Sequence, residues 1–107
     1  MISEDRLSND TVRAVVGAIN AGDREAFDTQ FVDKPTMSDD GTERDFRDWT
    51  DREIFSSNGR IEVDNQSDEG RALIANYRND TYGEMRTSWA FQIDDEGKVS
   101  HMDVGQA

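Results

Sequence analysis

The strongest periodic signal in the chain is "SNDTVRAVVGAINAGD", where Val12, Val15, Val16 and Ile19 recur at the i, i+3, i+4, i+7 spacing of a helix with one buried face. Ser8, Asn9 and Asp10 offer side-chain oxygens to the free amides of a first turn, and Gly22 can close the helix in the left-handed conformation. A helix over about residues 9–21 follows. Asp23 then caps a shorter helix, "REAFDTQF", in which Phe27 and Phe31 are four apart and share a face. Pro35 is expected to end it, because the residue before a proline is pushed out of helical geometry. These two segments predict a helical hairpin. "PTMSDDGTER" reads as extended pieces around a turn at Asp39-Asp40-Gly41. Helical spacing returns in "DFRDWTDREIF", with Asp45 as N-cap and Phe46, Trp49 and Glu53 or Ile54 on one side.

After Gly59 the period changes from helical to alternating. "RIEVDNQ" places Ile61 and Val63 on one side, "RALIANYRND" places Leu73, Ala75 and Tyr77 together, and "EMRTSWAFQI" places Met85, Thr87, Trp89, Phe91 and Ile93 together. Turns are expected at Ser67–Gly70, Asn79–Gly83 and Asp94–Gly97, and "KVSHMDV" is the last strand. The order helix, helix, hairpin, helix and a four-stranded antiparallel meander predicts an α+β fold whose sheet curls around the helices.

Composition narrows the function classes. With 24 acidic against 12 basic residues the net charge is -12, and no basic stripe is available for nucleic acid or for an anionic membrane surface. There is no cysteine, hence no disulfide and no thiolate. The opening "MISEDRLSND" has neither a basic nor an apolar signal region, and no apolar run approaches the roughly 20 residues of a membrane span, so a cytoplasmic protein is expected. No His/Cys cluster has ligand spacing, and "NAGDRE" is no phosphate loop; neither a metal nor a cofactor is expected.

Three stretches together, "VRAVVGAINAGDREAFDTQF", "DDGTERDFRDWTDREIF" and "WAFQIDDEGKVSHMDV", resemble the nuclear transport factor 2-like superfamily, particularly its small SnoaL-like bacterial members. The resemblance covers a single domain over residues 8–104, with residues 1–7 as an N-terminal extension. It implies a cone-shaped curved antiparallel sheet wrapped around the helical hairpin and the third helix, a cystatin-like α+β roll that encloses a pocket and pairs as a homodimer. It implies no single activity, since isomerases, cyclases, hydrolases, dehydratases and binding proteins share the fold. The first helix lacks the tyrosine of the isomerase members, and the hydrolase Asp-Arg-Asp site has no clear counterpart.

Within such a cone, Trp49, Trp89, Phe91, Tyr77 and Met37 are the expected lining of a small apolar ligand site. Tyr82 could add a hydroxyl, and Asp39 and Asp40 read as turn residues. Proton transfer, if present, would fall to His101, Asp103 or Glu53. His101, the only histidine, and Asp103 share a strand face. If Ile93 opposes Val99 and the register runs on unbroken, Phe91 lies opposite His101 and Trp89 opposite Asp103, inside the cone. A slip of one residue turns both polar side chains outward and Met102 and Val104 inward, which is the expected arrangement. Three readings follow: a small-molecule binding homodimer, a cofactor-independent isomerase, cyclase or hydratase, or a structural dimer module whose core is filled by Phe27, Trp49, Trp89 and Met102.

Overall fold

Asn9 opens α1 (Asp10–Ala21) by accepting the Val12 amide at 3.0 Å, and Gly22 closes it at φ 65°. Asp23 caps α2 (Arg24–Asp28) in the same way, through the Ala26 amide. The expected continuation of α2 to Phe31 does not form: the helix stops at Asp28 and Phe31 begins strand β1 (Phe31–Asp39). Phe31 gains a sheet partner, Val99, and its ring still lies 4.7 Å from that of Phe27, across a helix–strand corner. Both conformations bury the phenylalanine pair, and only the extended one adds the sheet pairing. Pro35 therefore lies inside β1, at the irregularity between Phe31 and Thr36 where no ladder amide is required.

The computed structural model describes residues 1–107. Asp40 and Gly41 make a two-residue turn with φ 50° and 83°, the conformation whose twist suits a tight hairpin, and β2 (Thr42–Arg44) folds back on β1. Asp45 caps α3 (Phe46–Thr50), which continues as a π-helical turn over Asp51–Phe55. The remaining strands are β3 (Arg60–Ser67), β4 (Ala72–Asn79), β5 (Gly83–Ile93) and β6 (Val99–Gln106). The four-stranded meander is as the alternation predicts.

The six strands form one curved sheet in the order β2-β1-β6-β5-β4-β3. The sheet is mixed rather than wholly antiparallel, because β6 enters between β5 and β1 and runs parallel to β1. Local alternation cannot reveal this pairing, which joins Thr36 to His101 and Met37 to Met102.

All the large inward side chains fall in one cluster. The α1 stripe Val12, Val15, Val16 and Ile19 is buried together with Phe27, Met37, Leu73, Trp89, Phe91 and Met102. Each Val or Ile so buried contributes about 1.5–3 kcal/mol. Residues 1–7 also engage the fold: Leu7 belongs to this core, and the Ile2 amide donates to the Val63 carbonyl at 2.7 Å. No helix is long and apolar enough to cross a membrane.

Candidate functional site

The position of His101 is decided by one residue. Ile93 does oppose Val99, but the next pair is Gln92 with His101, so Ser100 is an extra residue on β6. This bulge moves every later side chain to the opposite face. Met102 then opposes Phe91 and Val104 opposes Trp89, all inward, while His101 and Asp103 stand on the outer face of the sheet. The unbroken register, with Phe91 across from His101, does not occur.

On that outer face a hydrogen-bonded chain crosses from β1 to β6. The Thr36 hydroxyl and His101 Nδ1 share a hydrogen bond of 2.6 Å, His101 Nε2 lies 2.8 Å from Asp103 Oδ1, and the Ser38 hydroxyl donates to the same oxygen at 2.5 Å. The Ser38 hydroxyl, and to a lesser degree His101, hold the Asp103 carboxyl below its ordinary range against the opposing effect of partial burial. No wall encloses this group. Thr36 is exposed, and about half of the Asp103 side chain is open, at 49%.

A half-open cavity lies at the other side of the sheet, at the mouth of the cone. A cavity of about 260 Å³ is bounded by Asp39, Trp49, Glu53, Tyr77, Met85 and Trp89, with Arg44 and Tyr82 at its rim. β1 brings in Asp39, β2 Arg44, α3 Trp49, the π-helical turn Glu53, β4 Tyr77, β5 Met85 and Trp89, and the β4–β5 turn Tyr82. A larger open groove of about 500 Å³ runs between residues 1–4 and β3, where charged side chains such as Glu4, Arg60 and Glu84 mix with apolar ones.

The polar groups of the cavity are held in place. Trp49 Nε1 donates to Asp39 Oδ2 at 3.1 Å, fixing the indole of α3 to the end of β1. Trp89 Nε1 donates to the Thr87 hydroxyl at 2.8 Å, which in turn donates to the Ala75 carbonyl at 3.1 Å. The Glu53 side chain is 13% exposed, with Arg52 Nε 3.6 Å from its Oε1. Asp39 has no cation within ion-pair distance.

The π-helical turn has a direct structural use. Its wider spacing is visible in the bonds Ser56 to Asp51 and Gly59 to Ile54, both five residues apart and 2.7 Å long. The Glu53 carbonyl then accepts the Tyr77 hydroxyl at 2.6 Å and the Asn79 side-chain amide at 2.9 Å. Burial pushes the Tyr77 phenol well above its ordinary range; the Asn79 hydrogen bond opposes this and Glu53 adds to it. Tyr77 is thus a neutral donor at physiological pH, a latch between α3 and the sheet.

Of the residues expected at a site, Trp49, Tyr77, Trp89 and Glu53 meet at this cavity. Phe91 and Met37 do not line it. They flank Met102 in one inward row, Met37 beside it on β1 and Phe91 opposite it on β5, and close the core beneath. His101 and Asp103 are on the outer face. Asp39 joins the cavity although its sequence context reads as a turn: the turn proper is Asp40-Gly41, which leaves Asp39 as the last inward residue of β1. Arg44, Asn79, Met85 and Thr87 had no local signal beyond strand alternation.

No protein-family model matches the chain, and no curated protein matches it in sequence. Solved structures do match in shape. A nuclear transport factor 2-like protein of unknown function from Cytophaga hutchinsonii superposes with a TM-score of 0.76 at 15% identity, covering 100% of this chain and 92% of that one. An uncharacterised cystatin-fold protein from Novosphingobium aromaticivorans gives 0.71 at 14% identity, covering 97% and 98%. A Mycobacterium tuberculosis protein, RV0760c, in complex with estradiol-17beta-hemisuccinate, gives 0.66 at 13% identity, with 88% of each chain covered. The chain accordingly has the nuclear transport factor 2-like, cystatin-type α+β fold.

Proposed function

We propose that this chain binds a small molecule at the mouth of the cone. The observation that carries the reading is the roughly 260 Å³ cavity walled by Trp49, Tyr77, Met85 and Trp89, with oriented polar groups among apolar faces. A neighbour of the same fold binds a steroid derivative, which supports the use of such a cone for small ligands. The test is titration of a small neutral naphthalene probe, followed by quenching of tryptophan fluorescence. The wild type is expected to bind, and Met85→Trp, which fills the cavity from β5, to weaken binding about tenfold or more while retaining the native circular dichroism. Unchanged binding by a folded Met85→Trp would place the probe elsewhere and defeat this reading.

The protein is further proposed to pair with itself through the outer sheet face. What favours this is a shallow groove there floored by small or apolar side chains, Ala72, Ile74, Ser88 and Ala90, beside Gly105. Sedimentation at micromolar concentration is expected to return twice the chain mass; a monomer under those conditions contradicts it.

A further inference from the structure

The charges around the cavity specify more than its apolar walls do. Asp39, Asp40 and Glu53 border it against a single cation, Arg44. Asp40 already accepts the Gln106 backbone amide at 2.9 Å. Glu53 has partial neutralisation from Arg52, whose closer partner is Asp48 at 2.7 Å. Asp39 is different: its only side-chain partner is the indole N–H of Trp49, a neutral donor. Arg44 is exposed on β2 and lies within ion-pair distance of no carboxylate. A carboxylate with a single neutral hydrogen bond has most of its accepting capacity free. The group that best completes it is a cation with N–H donors.

Resting on the binding reading above, we propose that the occupant of the cone mouth is a protonated amine with a compact apolar or aromatic body, its ammonium group on Asp39 and its body against Trp49 and Trp89. A free carboxylic acid or a phosphate is disfavoured in this place, since it would approach Asp39 and Glu53 with like charge. The net charge of -12 acts in the same direction over longer range, drawing cations and repelling anions at low salt.

The experiment uses three ligands of one shape: 2-phenylethylammonium, 2-phenylethanol and phenylacetate, each titrated by calorimetry at low ionic strength. The ammonium is expected to bind about tenfold tighter than the alcohol, and phenylacetate not to bind. Asp39→Asn keeps an oxygen to accept the Trp49 N–H and removes only the charge. It is expected to cancel the preference for the ammonium while leaving the alcohol unchanged. Glu53→Gln, whose backbone bonds to Tyr77 and Asn79 are untouched, serves the same purpose should Asp39→Asn fail to fold, with the preference reduced severalfold. An alcohol as tight as the amine, or a preference that survives both substitutions, overturns the amine assignment and leaves the pocket in place. The same holds if none of the three binds while the neutral naphthalene probe does. If neither the probe nor any of the three binds, the pocket reading falls and the amine with it.

Discussion

Trp89→Ala is expected to remove about 3–5 kcal/mol of folding stability, measured by urea unfolding. The indole is 1% exposed and sits on the central strand β5, between Leu73 of β4 and Val104 of β6. Its ring meets Tyr77 edge-on at 5.4 Å, so truncation removes an aromatic contact as well as buried area. The hydrogen bond to Thr87 is also lost, but that hydroxyl keeps the Ala75 carbonyl as its acceptor and is not left unpaired. The void would open into the existing cavity beside Met85, where water can enter, which argues for the lower half of the range. Against a typical total of 5–15 kcal/mol, such a loss leaves a marginal fold. A change below about 1 kcal/mol would mean that Trp89 is not the packed centre of the inner face.

Gly59→Ala is expected to cost about 2–4 kcal/mol, although it adds only a methyl group. A Cβ on Gly59 would lie 2.1 Å from the Tyr77 hydroxyl oxygen, 3.0 Å from Cζ and 3.1 Å from the Ile54 Cα. Ile54 is backbone and cannot yield, so the tyrosine must leave, and with it the bond to the Glu53 carbonyl. Tyr77→Phe alone is expected to cost about 1 kcal/mol, because Asn79 still serves that carbonyl. In the double variant most of the collision is gone, so the combined loss should fall short of the sum by about 1 kcal/mol or more. Strict additivity in the double-mutant cycle would show that the latch and the glycine are independent.

The helices and the meander were legible because each depends on local information. The Val12–Ile19 stripe, the Asn9 cap and the Gly22 stop are contained within a few turns of chain. The inward set of β5, Thr87, Trp89 and Phe91, follows from a period of two. What escaped local reading depended on distant partners or on a change of count. Phe31 adopts strand geometry because Val99, far along the chain, offers a pairing. Asp39 belongs to the cavity because Trp49 reaches it from α3. Glu53 turns its carbonyl to Tyr77 through a π-helical turn that no residue pattern announced. Ser100 carries the bulge, and no alternation rule predicts an inserted residue between two well-formed strands.

The place of β6 also constrains how the molecule can be assembled. It fills the gap between β1 and β5, so without it the β1–β2 hairpin and the β3–β4–β5 sheet would share no strand pairing. The pairing of Met37 with Met102 joins residues far apart in the chain, whereas β5 and β6 meet across a short turn, so the non-local step in building this sheet is the docking of β1 on β6. β6 is thus the keystone of the sheet: tied to β5 by a local hairpin and to β1 by a long-range parallel pairing, it is the one strand that makes two partial sheets into one.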